Sequence, residues 1–107
     1  MTTLHLENTV RDYDSWKSVF DKFDRVRADN GVRSYRIRRH ADDPLRVVVD
    51  LEFDGRATAE AFAELLAKVR STPQSRGELV SFVEPVLLED VEERVLTAVG
   101  APPSGPH

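Results

Sequence analysis

His5 and Glu7 stand two residues apart in a segment that alternates apolar and polar side chains, so both project from one face of a strand. A histidine beside a carboxylate can move a proton near neutral pH, and the same pair can equally form a salt-linked or hydrated interface contact. Asn8 interrupts the apolar side of that strand. It either lines a pocket beneath the elements covering the sheet or bonds to backbone at the strand end, since a buried polar group requires a partner. Tyr13 and Trp16 open a helical pattern. Trp16 can bury its rings and still offer its indole N–H to a ligand, although Phe20 and Phe23 continue its stripe and favour a core position. Tyr13, at the helix start, is placed for the mouth of a cavity.

Arg33, Arg36, Arg38 and Arg39 make a basic strand, and a guanidinium fork can grip an anion. Strand alternation divides them between two faces, and Asp50 and Glu52 are ready internal partners. His40 sits beside Asp42 and Asp43, yet one imidazole and two adjacent acids do not supply the three or four converging ligands of a metal site. The catalytic candidates are therefore His5, Asn8 and Tyr13, and the ligand-binding candidates Trp16, Tyr35, Arg36 and His40. No metal or cofactor is expected. No GxGxxG, phosphate loop, GxSxG or HExxH string occurs, which leaves nucleotide, serine-hydrolase and zinc-protease readings without support.

The elements that must position these residues follow from periodicity. Leu4, Leu6 and Val10 alternate with His5, Glu7 and Thr9, the period of a half-buried strand over residues 2–10. Asp12 is suited to cap a helix starting near residue 13, where Trp16, Val19, Phe20, Phe23 and Val26 form an apolar stripe. Asn30-Gly31 supplies the stop. Residues 32–40 and 45–53 read as a β-hairpin joined by Ala41-Asp42-Asp43-Pro44, with Arg36 opposite Asp50 and Tyr35 opposite Leu51. Ala59, Phe62, Leu65, Leu66 and Val69 mark a second helix ending at Ser71-Thr72-Pro73. Residues 79–89 form a last strand, and Pro85, which lacks a ladder donor, assigns it to an edge or a bulge. Residues 1–90 thus make one domain. In residues 91–107 Val91, Val95 and Val99 fit a short helix, and APPSGPH has the composition of a disordered tail.

A chain of 107 residues fits one core, and its 40% hydrophobic and 32% charged content is that of a soluble globular domain. No run approaches the roughly 18 apolar residues of a spanning helix, and the N-terminus lacks the pattern of a secretory signal, so a cytoplasmic protein without a membrane partner is expected. A charge of −4 and a pI near 5.3 give no overall attraction for nucleic acid. The absence of cysteine excludes disulfides and thiol nucleophiles.

Two helices cover one face of a four-stranded sheet, so the face bearing Glu7, Arg36, Arg38, Asp50 and Glu52, and with them Phe82 and Glu84, must meet water or a second sheet. The βαββαβ order, the VRDYDSWKSVFD segment, the VVVDLEF strand and the AEAFAELL helix resemble the dimeric α/β barrel superfamily of ferredoxin-like proteins. More narrowly they resemble small bacterial proteins of the cyclase-like and antibiotic-biosynthesis-monooxygenase-like kind. The resemblance implies an α+β ferredoxin-like fold, a homodimer closed through the charged sheet face, and a small apolar or aromatic ligand. It implies cofactor-independent monooxygenase or cyclase chemistry on an aromatic or polyketide-like substrate; the alternative is a non-catalytic ligand-binding or regulatory homodimer. Haem cleavage is disfavoured: Trp16 is the only Trp, and no His falls between His40 and His107.

Overall fold

The computed structural model describes residues 1–97, apart from the side chains of residues 74–76. Strand β1 (Thr2–Val10) leads into helices α1 (Tyr13–Lys22) and α2 (Asp24–Asp29); β2 (Ser34–His40) and β3 (Asp43–Phe53) form a hairpin. Helices α3 (Arg56–Arg70) and α4 (Pro73–Glu78) precede β4 (Leu79–Glu89). The four strands make one antiparallel sheet in the order β2-β3-β1-β4.

Alternation drives the sheet's two-sidedness. Leu4, Leu6, Val10, Val47, Val49, Leu51 and Phe53 are all buried on the helix side, where Trp16, Ala59 and Phe62 pack against them. Phe53 and Phe62 meet with ring centroids 5.6 Å apart. The hairpin register is the expected one, with Tyr35 opposite Leu51 and Arg36 opposite Asp50. The turn is shorter than the four residues anticipated: Asp43 and Pro44 already belong to β3, and Asp43 accepts from the Leu45 N–H at 3.1 Å.

Asp12 caps α1 by accepting from the Ser15 N–H at 2.8 Å, as its position suggested. The helix does not run unbroken to Asn30, however. Phe20 O receives both the Phe23 N–H and, at 2.6 Å, Nη2 of Arg27, a side chain inserted into the helical ladder that sets α2 off as a separate turn. Gly31 ends this segment at φ +90°. A Cβ there would overlap Cγ2 of Thr58, so glycine is required by both backbone and packing.

β4 is an edge strand, and Pro85 lies in a register shift between the His5 and Glu7 pairings that places Glu84-Pro85 opposite Leu6. The bulge has a consequence the sequence did not reveal. Phe82 pairs with Asn8 and so shares the helix side of the sheet, whereas Val83, Val86 and Leu88 share the opposite side with Glu7, His5 and Thr3. The expected placement of Phe82 on the charged face is corrected accordingly. Residues 90–97 carry no helix, and the remainder of the C-terminal extension, with its expected disordered tail, lies outside the described residues.

Candidate functional site

Between the sheet and helices α1 to α3 lies a cavity of about 90 Å³. Leu6, Val49 and Leu51 form its floor, and Trp16, Phe20, Leu66 and Val69 contribute to its walls. The aromatic side is a ladder: Tyr13 and Trp16 stand 5.9 Å apart, Trp16 and Phe20 5.1 Å, and Phe20 meets Tyr35 edge-on at 5.2 Å. Four polar residues, Asn8, Arg27, Arg70 and Glu78, interrupt this apolar lining.

Asn8 is 7% exposed, and its Oδ1 accepts from Nη2 of Arg70 at 2.7 Å. The guanidinium of Arg70 also lies over the Phe82 ring at 4.5 Å, and its Nη1 is buried without a hydrogen-bond partner among the described residues. Burial pulls the Arg70 pKa down from its ordinary value, only partly countered by the charge of Glu84. Glu78 accepts from Ser15 Oγ at 2.8 Å through Oε1, while its buried Oε2 has no partner among the described residues. Arg27, 6% exposed, lies over Phe20 at 3.6 Å and also contacts Asp24 at 3.4 Å. Its pKa too is lowered, first by desolvation, with Asp24 acting in the other direction.

The structure brings together some of the residues anticipated from sequence and separates others. Asn8 and Trp16 line the cavity; Tyr13 and Tyr35 extend its aromatic ladder from outside the lining. His5 lies on the opposite face of the sheet, where Nδ1 meets Asp50 at 2.6 Å and Nε2 meets Glu7 at 3.1 Å. Each ring nitrogen faces a carboxylate, and only the imidazolium can donate to both. The His5 pKa is accordingly raised, chiefly by the hydrogen bond to Asp50 and secondarily by Glu7, against the opposing effect of burial. His5 and Asn8 therefore do not converge on one substrate. Arg36 is opposite Asp50 in register, but the guanidinium that reaches this carboxylate is that of Arg38, at 2.7 Å. His40 borders a separate, more polar depression of about 130 Å³ near Thr9 and Arg46. Among the described residues, no cluster of three or more acids and histidines is arranged to hold a metal ion.

Arg27, Arg70 and Glu78 were not among the sequence candidates. The signal for the two arginines was present: Arg70 follows Phe62 and Leu66 at steps of four, and Arg27 follows Phe20 and Phe23 at steps of three and four. Each ends an apolar stripe on the inward side of its helix. No comparable signal marks Glu78.

No protein-family model and no curated protein matches the chain. Its fold is shared with a candidate antibiotic biosynthesis monooxygenase from Nitrosomonas europaea, with TM-score 0.57 and 16% identity over 86% of this chain and 100% of that one. A dimeric ferredoxin-like protein from an uncultured marine organism aligns with TM-score 0.55 and 15% identity, over 87% of this chain and 96% of that one. An uncharacterized NIPSNAP domain protein from Burkholderia xenovorans aligns with TM-score 0.53 and 18% identity, over 95% and 99% of the two chains. These likenesses bear out, at the level of fold, the ferredoxin-like architecture and the similarity to antibiotic-biosynthesis-monooxygenase-like proteins.

Proposed function

We propose that this chain is a homodimeric small-molecule-binding protein that takes an aromatic or polyketide-like ligand beneath its helices. The observation that carries the reading is the cavity itself, an apolar space walled by Trp16 and Phe20 with a few convergent polar groups at Asn8 and Arg70. The dimer is supported by the uncovered sheet face, where Val83, Val86 and Leu88 are 55%, 46% and 46% exposed beside the His5, Asp50 and Arg38 network. Two fold neighbours are themselves described as dimeric ferredoxin-like proteins. An isologous contact through this face would bury the apolar edge and the charged centre together.

Cofactor-independent monooxygenase chemistry is the enzymatic form of this proposal, with Asn8 polarising a substrate oxygen and Trp16 and Tyr13 orienting its ring. A non-catalytic binding dimer is the second reading, favoured by one observation: His5, the best-poised proton carrier, faces away from the cavity.

Mass spectrometry of small molecules released from natively purified protein tests the binding reading. The wild type should release an aromatic compound that a cavity-filling Leu66→Trp variant lacks; identical profiles from the two folded proteins would count against it. Oxygen uptake on adding a tricyclic anthrone, without added cofactor, separates the two readings. Uptake lost in Asn8→Leu supports the monooxygenase, and binding without uptake supports the non-catalytic dimer.

A further inference from the structure

The polar end of the cavity holds charged atoms whose hydrogen bonds the described residues leave unmade, Nη1 of Arg70 and Oε2 of Glu78. Arg70 reaches inward from the last turn of α3, and its one side-chain hydrogen bond among the described residues goes to a neutral amide, Asn8 Oδ1. No carboxylate forms an ion pair with it among the described residues, Glu84 acting on it only through longer-range charge, and Nη1 is buried with its hydrogens unshared. Arg70 is half-buried, yet a guanidinium nitrogen withdrawn from water without a partner is costly, and stacking on Phe82 offsets only part of that loss. Arg27 differs. Its Nη2 is spent on Phe20 O and Asp24 and its guanidinium lies over the Phe20 ring, with Tyr35 further off, so it serves to hold the break between α1 and α2. Glu78 lines the same cavity and is tied through Oε1 to Ser15, leaving Oε2 as a buried acceptor without a donor.

We propose that the cavity ligand is a hydroxy-substituted aromatic acid whose carboxylate is bound by Arg70 beside Asn8. The guanidinium offers Nη1 to the carboxylate, the aromatic body lies along Trp16 and Phe20, and a ligand hydroxyl donates to Glu78 Oε2. A carboxylate alone would leave Glu78 unsatisfied and meet its negative charge, which is why the class carries a donor as well as an anion. This inference rests on the cavity reading above and narrows its ligand class.

The test compares 6-hydroxy-2-naphthoate with its neutral isostere 6-hydroxy-2-naphthamide, using amide chemical-shift titrations of the intact chain. Wild type should bind the acid about tenfold or more tightly than the amide, the range expected of a hydrogen bond to a buried charge. In Arg70→Met that preference should disappear while affinity for the amide is retained. Equal wild-type affinities, or a preference that survives Arg70→Met, would overturn the anion inference and leave the cavity reading standing. Failure of both compounds to shift any cavity resonance would sink the cavity reading and this inference with it. The wild-type ratio decides the question even where Arg70→Met does not fold.

Discussion

At the scale of single residues, the two faces of one strand do different work. Asn8 and Leu6 look into the cavity, and His5 and Glu7 look out into a charged network centred on Asp50, whose two oxygens take His5 and Arg38. The raised His5 pKa makes that network dependent on pH. The sign follows from linkage: the proton held by folded His5 contributes stability fully below its ordinary value of 6.5, and the contribution is lost as pH rises through the raised value. Urea unfolding of wild type and His5→Gln should therefore differ most at pH 5.5 to 6 and converge in alkaline buffer. A gap that widens with rising pH would contradict the assignment. Asp50→Asn should shrink the gap as well, because the largest cause of the shift is the hydrogen bond to Asp50.

At the scale of elements, the legible parts were those with a strict period or a strong punctuating residue. Alternation gave β1 and the hairpin register, Asp12 and Gly31 marked the ends of the first helical segment, and Pro85 announced an edge strand. The unread parts depend on contacts distant in sequence. The break at Phe23 rests on Arg27 reaching back to Phe20 O, and α4 supplies Glu78 to Ser15, 63 residues away. The reversal of Phe82 comes from the bulge at Glu84-Pro85, since one extra residue reverses the facing of the side chains before it relative to Val86 and Leu88 after it. Gly31 offers a test of the packing account. Gly31→Ala should destabilise by more than about 1 kcal/mol, and adding Thr58→Ala should recover only the steric part of that loss, the positive φ remaining. Full recovery in the double variant, measured by urea denaturation, would show that the backbone conformation there carries no strain.

At the scale of the whole molecule, an apolar cavity lies on one side of the sheet and the proposed dimer face on the other. Val83, Val86 and Leu88 form an exposed apolar edge of that face, where an introduced charge should oppose association. Light scattering should give about twice 12.1 kDa for the wild type and 12.1 kDa for Val83→Asp/Val86→Asp at micromolar concentration. A monomeric wild type would remove the barrel assembly while leaving the cavity intact. Trp16 is the sole Trp and lines that cavity, whereas His5 lies across the sheet, so one spectrum reports both faces. Two-dimensional NMR of the labelled chain, titrated with 6-hydroxy-2-naphthoate, is the most direct measurement of the central claim. The account predicts saturable shifts of the Trp16 indole N–H and the Asn8 side-chain amide with the His5 ring signals unmoved; shifts confined to the His5 face, or none at all, would contradict it.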